Sequence, residues 1–417
     1  MHLHRCTHIF PIYLCNSSIF VYFLPLSILI IILYTLFKKR GFFLLEFATY
    51  KSSKNLVSKS DFIDILKSSN HFSDESIEFQ KKILAVSGLG DSTPLPPHMT
   101  TRPPSFSYND TLKSALETMY STVSDLFSKI SISLSSISHV IVTSSFLVAN
   151  PSLAHHVINH FGLVNAVPLA LVGAGCAEGL IAVDIAQSFL QSKRGRVLIV
   201  SVQPCSVTYL GNQRSMLIPN CLFRLGCSAV LVSNLKRDAS LAKFDLIKLY
   251  RNQKHGISMK ALELKEDEDQ NFGFFLSFDL LEHYMAVIKQ NLKSIAPFVF
   301  STRELVTYVL QFLKYLINPH FTTLPSWPSF SQGATHFCLH PGGRGVLNYL
   351  EKSLDLTPEQ CEPSRFVLER YGNVSGCSVW YCLDRLRGLG KITKGDTVWQ
   401  IGYGSGMEAV SIYWRAR

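Results

Sequence analysis

Along most of the chain, short unbroken apolar runs alternate with longer segments in which apolar residues return every three or four positions. The runs at residues 138–145 (SHVIVTSS), 196–202 (RVLIVSV) and 228–233 have the length and β-branched content of buried strands. Residues 112–132 and 177–192 instead have helical spacing, and in the second Leu180, Ile181, Val183, Ile185, Phe189 and Leu190 form an amphipathic pattern. Residues 72–89 are helical in pattern and stop at Gly-Leu-Gly. Residues 92–105 (STPLPPHMTTRPPS) read as an extended connector, because their five prolines forbid a regular helix. The second half repeats this vocabulary: a helix over 280–295, a run at 335–339 leading into His340-Pro-Gly-Gly, a helix over 345–353, and a closing pair of strands around 402–406. Residues 304–318 (ELVTYVLQFLKYLIN) are apolar on most faces but too short to span a bilayer, which leaves a core helix and an interfacial or acyl-tunnel helix both open. Such alternation predicts an α/β layered fold around a mainly buried sheet.

One run differs in kind. Residues 19–37 (IFVYFLPLSILIIILYTLF) are almost wholly apolar and end at Lys38-Lys39-Arg40, a length that spans a bilayer and a flank unlike a cleaved signal. With only Arg5 clearly ahead of it, the basic cluster behind the run leaves the large C-terminal part in the cytosol. Ten cysteines without a CxxC pair read as reduced thiols, in keeping with that side of the membrane. Hydrophobic residues reach 47% and charged ones only 17%, which also favours membrane contact. The net charge of +10 comes without a basic run of five or more, so it points away from nucleic acid and toward anionic lipid or an anionic substrate such as coenzyme A. The pairs His155/His156 and His336/His340 have no cysteine at zinc-like spacing, and no metal is expected.

The stretch GAGCAEGLIAVD (173–184) sets Cys176 in a glycine-bracketed turn at the head of a helix. There the positive end of the dipole and free backbone N–H groups favour a thiolate, although a small buried residue would also suit the turn. His340 lies where a strand-like run breaks at Pro-Gly-Gly, and Asn373 lies at a Tyr-Gly-Asn-Val-Ser turn. In this order and spacing, with the late Gly-Tyr-Gly-Ser-Gly loop, the three residues resemble the condensing enzymes of the thiolase superfamily. The closer resemblance is to the plant-type 3-ketoacyl-CoA synthases, the membrane-bound condensing component of the fatty acid elongase. It is carried by SIEFQKKILAVSGLGDST (76–93), GAGCAEGLIAVDIAQSFLQ (173–191), GNQRSMLIPNCLFRLG (211–226), HFCLHPGGR (336–344), EPSRFVLERYGNVS (362–375) and KGDTVWQIGYGSG (394–406).

That resemblance implies a thiolase-like layered αβαβα fold of two similar halves preceded by an N-terminal transmembrane helix. The expected division is an anchor in residues 1–45, a condensing-enzyme domain over 46–330 with the cysteine, and another over 331–417 with the histidine and asparagine. It implies a decarboxylative Claisen condensation of malonyl-CoA with a long-chain acyl-CoA in very-long-chain fatty acid elongation, run without a cofactor. Cys176 would carry the acyl group as a thioester, and N–H groups at Cys176 and in the Gly404, Ser405 and Gly406 loop would hold the oxyanion. His340 and Asn373 would hydrogen-bond the malonyl thioester oxygen as the enolate forms, with His336 auxiliary. Arg214 and Arg224 are either structural or contacts to coenzyme A phosphates. Expected partners are acyl-CoA, malonyl-CoA, membrane lipid, a second copy in a homodimer, and the reductases and dehydratase of the elongase. The expected place is the endoplasmic reticulum membrane, with the catalytic part facing the cytosol.

The chain departs from the family's usual phrases. Where Gly-Met-Gly-Cys-Ser-Ala-Gly is usual, Ala177 and Glu178 follow Cys176, and a carboxylate there opposes a thiolate. Glu369 stands where a histidine is common, Ser201-Val-Gln-Pro replaces Ser-Thr-Glu-Asn, and one span stands where two are common. These departures motivate a second reading, a synthase-like regulatory subunit of an elongase complex. A third, a polyketide synthase of the chalcone-synthase type, shares the cysteine, histidine and asparagine but not the anchor.

Overall fold

The apolar runs assemble into one nine-stranded sheet whose order explains why both of its faces must be apolar. The computed structural model describes residues 41–204, 207–256, 260–317 and 328–417. The span expected at 19–37 lies outside the described residues. In chain order the strands are β1 (Phe43–Thr49), β2 (Leu56–Val57), β3 (Thr93–Pro94), β4 (Ile137–Ser144), β5 (Val167–Val172), β6 (Arg196–Gln203), β7 (Gly226–Ser233), β8 (Phe244–Gln253), β9 (Leu262–Glu266), β10 (Phe272–Leu276), β11 (His336–Leu339), β12 (Thr397–Gly404) and β13 (Glu408–Ala416). The large sheet runs β11-β12-β13-β8-β1-β7-β6-β4-β5, while β9 with β10 and β2 with β3 form separate small pairs. Strand β1 is central, pairing antiparallel with β7 and, over two residues, with β8. The chain thus enters the sheet at Phe43.

The helices are α1 (Lys59–Ser68), α2 (Asp74–Val86), α3 (Tyr108–Ser128), α4 (Leu153–Phe161), α5 (Glu178–Ser192), α6 (Arg214–Leu222), α7 (Leu280–Val299), α8 (Thr302–Ile317), α9 (Arg344–Leu354), α10 (Pro358–Tyr371) and α11 (Ser378–Gly388). Side chains alternate across each strand, so every strand serves two cores. In β6, Val197 and Ile199 face a central layer built from α5 and α11, whereas Leu198 and Val200 face the outer helices α3 and α4. In β12, Val398 faces the same central layer, and Trp399 and Ile401 face α7 and α9. The result is five layers, αβαβα. Trp380, Trp399 and Trp414 are fully buried, and burial of a side chain of that size contributes about 4–6 kcal/mol before entropy is counted. The indoles of Trp399 and Trp414 donate to Ser411 Oγ at 3.0 Å and Gln400 Oε1 at 2.7 Å, so no N–H of theirs is stranded.

Each central helix starts from a short 3₁₀ turn, Gly175–Ala177 before α5 and Ser375–Cys377 before α11. The two starts meet back to back. A Cβ placed at Gly376 would stand 2.5 Å from Glu178 Cγ and 2.7 Å from Gly179 N, and one at Gly179 would overlap the carbonyl oxygen of Gly376. Only residues without side chains permit this approach, which sets Cys176 at the seam between the halves.

Helix α8 is not a core helix. None of its residues is buried, and Val306, Val309, Leu310, Leu313, Leu316 and Ile317 all remain exposed. Among the described residues no helix is long and apolar enough to cross a membrane, and the seven cysteines there are all free.

Candidate active site

The turn between β5 and α5 bends through Gly173 and Gly175, whose φ angles of 84° and 60° lie in the left-handed region. Its second task is close contact. A Cβ at Gly404 would lie 2.6 Å from Cys176 N and 2.8 Å from Ala177 N, so the turn between β12 and β13 rests directly on the backbone of the cysteine. Ser405 Oγ donates to Gly173 O at 3.4 Å, and Gly406 O accepts from Gln253 Nε2 at 3.1 Å. The loop of Gly404, Ser405 and Gly406 therefore packs against the turn that carries Cys176.

Asn373 is delivered by the C-terminal end of α10, where Gly372 at φ 69° stops the helix. Its backbone is clamped by the segment after α6: Asn373 N donates to Leu222 O at 2.9 Å, and Arg224 N donates to Asn373 O at 3.0 Å. Its side-chain oxygen accepts from Ser375 N at 2.9 Å. That bond fixes the amide's orientation, and the side chains of Ser375 and Asn373 both pull the Cys176 thiol toward its ionised form. Ser375 holds a left-handed φ of 50°, a strained conformation for a residue with a side chain.

His340 follows β11 directly. Its N–H donates to Ile401 O at 2.9 Å, its carbonyl accepts from Tyr403 Oη at 2.8 Å, and its ring meets the Tyr403 ring edge-on at 5.1 Å. Tyr403 also interacts electrostatically with Cys176, as does Tyr284. Asn373 Nδ2 reaches Gly342 O at 3.5 Å, beside the histidine. The structure thus brings Asn373 and the 404–406 loop to Cys176, and seats His340 against Tyr403, which itself acts on the cysteine.

The electrostatics correct one expectation. Cys176 keeps part of its surface open, yet burial of the sulfur dominates and pushes the thiol up to about 12. Hydrogen bonds from Ser375 and Asn373 pull the other way, and the charge of Glu178 adds to the rise. Burial therefore favours the thiol form over the thiolate. His340 is 1% exposed, and burial lowers its ring from 6.5 to about 3, which keeps it neutral at physiological pH. The unfolded chain protonates this ring below about pH 6.5, while the folded chain refuses the proton until about pH 3. Its contribution to stability is therefore whole above pH 6.5 and is lost as pH falls through that window. Urea unfolding of the wild type and of His340→Gln should show the wild type losing about 1.4 kcal/mol per pH unit relative to the variant there. Parallel curves would mean that the folded ring is not held neutral.

Other expected residues fall elsewhere. His336 sits at the far end of β11 and bonds Asp396 Oδ2 at 3.2 Å, away from the sulfur. Arg214 is exposed and pairs with Glu75 at 2.6 Å. Arg224 is buried: its guanidinium donates to Thr93 Oγ1 at 2.9 Å and Phe223 O at 2.7 Å and lies 4.5 Å from the centre of the Phe62 ring. It props the Asn373 clamp and offers no cation to a phosphate. Glu369 lines a cleft of about 370 Å³ with Lys59, Asp91, Arg344 and Arg365 rather than facing the sulfur. Sequence reasoning missed Ser375 and Tyr403, although both stand inside the phrases that carried the resemblance.

A cysteine at the head of a central helix, with an amide and a buried neutral imidazole supplied by the other half of a five-layered αβαβα fold, defines a thiolase-like condensing enzyme. Solved structures of the same architecture include a mutant of CsyB, with a TM-score of 0.72 at 18% identity over 90% of this chain and 100% of that one. A fungal type III polyketide synthase, ORAS, gives 0.68 at 20% identity over 90% and 100%. The family described as FAE1/Type III polyketide synthase-like protein matches residues 34–316, and the C-terminal domain of chalcone and stilbene synthases matches 326–412. Among curated relatives, 3-ketoacyl-CoA synthase 17 of Arabidopsis thaliana is 35% identical over 96% of this chain and 84% of its own length. 3-ketoacyl-CoA synthase 2 of the same plant is 34% identical over 98% and 78%. The chain belongs to the 3-ketoacyl-CoA synthase family.

Proposed function

We propose that this protein is a 3-ketoacyl-CoA synthase that condenses malonyl-CoA with a long-chain acyl-CoA in very-long-chain fatty acid elongation. The observation that carries the reading is Cys176 at the head of a central helix, its backbone against the Gly404 turn and its thiol acted on by Asn373 from the second half, with a buried, neutral His340 packed on Tyr403 of the same half. Cys176 attacks the acyl-CoA carbonyl; the carbon–sulfur bond to coenzyme A breaks, and the acyl group stays as a thioester. Malonyl-CoA then loses carbon dioxide, and the electron pair moves onto its thioester oxygen. Asn373 and His340 donate hydrogen bonds to that oxygen. Neutrality matters here, because an imidazolium would protonate the carbanion before it attacked the Cys176 thioester. Collapse of the resulting tetrahedral centre, its oxygen facing the Gly404–Gly406 turn, breaks the carbon–sulfur bond and releases the 3-ketoacyl-CoA and the Cys176 thiolate, which takes up a proton from water to return to the thiol.

The same proposal places the protein at the endoplasmic reticulum membrane with its catalytic part toward the cytosol. The apolar run at 19–37 and the exposed apolar face of α8 support lipid contact. It takes residues 46–330 and 331–417 as the halves of one duplicated fold, which the paired 3₁₀ turns before α5 and α11 support. It also includes a homodimer, for which the edge strand β5, with Val167 and Val172 exposed, offers pairing groups.

Membranes from a host expressing the chain should convert long-chain acyl-CoA and labelled malonyl-CoA to 3-ketoacyl-CoA. The protein should stay in the pellet after a carbonate wash and leave it with detergent. Absence of product with every saturated chain, together with co-precipitation of an active synthase, would favour the regulatory-subunit reading. Release by carbonate alone would favour a soluble polyketide synthase.

A further inference from the structure

Helix α8 joins a clean amphipathic spacing to an orientation that leaves its apolar side uncovered. Residues three and four apart share a helix face, so Val306, Val309, Leu310, Leu313, Leu316 and Ile317 form one aliphatic stripe, and all six are exposed. The partly covered side is the other one, which carries Leu305, Tyr308, Phe312 and Tyr315. Arg303 and Lys314, three turns apart, flank the stripe along one edge. The only carboxylate of the helix, Glu304, is tied into its own first turn, where it accepts from Ser301 N at 2.8 Å and Ser301 Oγ at 2.7 Å. A contiguous aliphatic stripe of this kind marks a contact surface, because leaving it in water forgoes the gain of burial.

Two features say what covers it. The first is position. Strand β8 begins beside the start of β1, where Phe244 pairs with Leu44 and Leu246 N donates to Phe42 O at 2.9 Å. Helix α7 then runs back along β8: Val287 O accepts from Asn252 Nδ2 at 3.0 Å near the strand's far end, and the Phe298 ring lies 4.3 Å from Lys248 Nζ near its start. So α7 ends, and α8 begins, at the end of the sheet where the chain enters. The apolar run at 19–37 and its basic cluster stop at residue 40, just ahead of that entry. The second feature is charge. Residues 243–248 and 412–417, which form this end of β8 and β13, hold Lys243, Lys248, Arg415 and Arg417 against a single carboxylate, Asp245. An anionic bilayer surface offers acyl chains to the stripe and phosphates to the cations, and each cation near such a surface strengthens binding about fivefold. We propose that α8 lies flat in the interface of the anionic membrane that takes the 19–37 run, with its aliphatic stripe among the acyl chains and with Arg303, Lys314 and the cationic sheet end toward lipid phosphates.

The inference rests on the membrane placement proposed above, and its test separates the two without requiring turnover. The full chain, reconstituted into vesicles of phosphatidylcholine and phosphatidylserine, is labelled with a photoactivated diazirine that partitions into acyl chains. Glutathione in the water scavenges reagent outside the bilayer, and mass spectrometry of the digest locates the label. Val306, Val309, Leu310 and Leu313 should carry label at least about tenfold above the exposed residues of α2, since only a helix seated in the interface meets the reagent. In phosphatidylcholine alone the α8 label should fall by a factor of about two or more. The double variant Leu310→Glu with Leu313→Glu should bring α8 down to the level of α2, while residues 19–37 stay labelled and the thermal unfolding midpoint is unchanged. Gln311→Glu adds the same charge on the polar side and should leave the α8 label intact. Label on 19–37 with none on α8 overturns the proposal and leaves the anchor standing; label on α8 with none on 19–37 overturns the anchor instead. Equal label in the two lipid mixtures, or loss of label in Gln311→Glu, also overturns the proposal. So does cross-linking of the stripe to a second copy of the chain, with a pair that the double variant separates.

Discussion

Replacing Cys176 by alanine is expected to lower 3-ketoacyl-CoA formation by three orders of magnitude or more, roughly the scale on which an enzyme loses its covalent nucleophile. The variant should fold, because the turn that holds the residue is set by Gly173 and Gly175, and alanine needs less room than cysteine. Incubation with labelled acyl-CoA should leave the wild type carrying label after denaturation and the variant bare. Comparable product from both proteins would move the nucleophile elsewhere. Cys377 makes the control informative, since it occupies the corresponding turn before α11. Its sulfur faces Ser201 O at 3.1 Å, and burial raises its thiol further, so its replacement should not remove the label.

The second large effect separates the half-reactions. His340→Ala should still accept the acyl group but lose about 10²–10³-fold in condensation, the usual cost of removing one preorganised donor from a developing oxyanion. Acyl-enzyme would then accumulate, and release of labelled carbon dioxide from malonyl-CoA would fall with product. Asn373→Ala should slow both steps. Its side chain pulls the Cys176 thiol toward ionisation and its Oδ1 accepts from Ser375 N at 2.9 Å, so acylation loses its alignment as well. Rapid-quench measurement of bound acyl label against released carbon dioxide resolves the two variants. A His340→Ala enzyme that decarboxylates at the wild-type rate would remove the imidazole from the mechanism.

Elements whose apolar spacing is clean were legible in the chain. The runs at 138–145 and 196–202 became β4 and β6, and the amphipathic pattern at 177–192 became α5, one residue shorter at its start. Strand β1 was hidden because FLLEFAT lies close behind the basic end of a long apolar run and carries Glu46 in its middle. That glutamate is tolerated in the sheet because Arg387 of α11 meets it at 2.6 Å. Helix α8 misled in the other direction, since apolar periodicity cannot say whether a face has a partner.

The site divides in a similar way. Cys176, His340 and Asn373 could be found because each sits at a glycine turn, where local sequence reports a local bend. The hydrogen bond between the Ser145 and Ser375 hydroxyls could not, because it joins strands and turns 230 residues apart in the chain. The charge state of the cysteine was equally out of reach. Position at a helix start argues for ionisation, while desolvation by layers contributed from distant segments pushes the thiol the other way.

The abutting starts of α5 and α11 leave no slack for drift at either glycine. A side chain can grow at 179 or 376 only if the opposing peptide withdraws in the same step, so mutations there must arrive in matched pairs or be purged. Variation among descendants of this chain should therefore collect on outer surfaces and substrate-facing walls, while the pair where the duplicated units touch stays fixed.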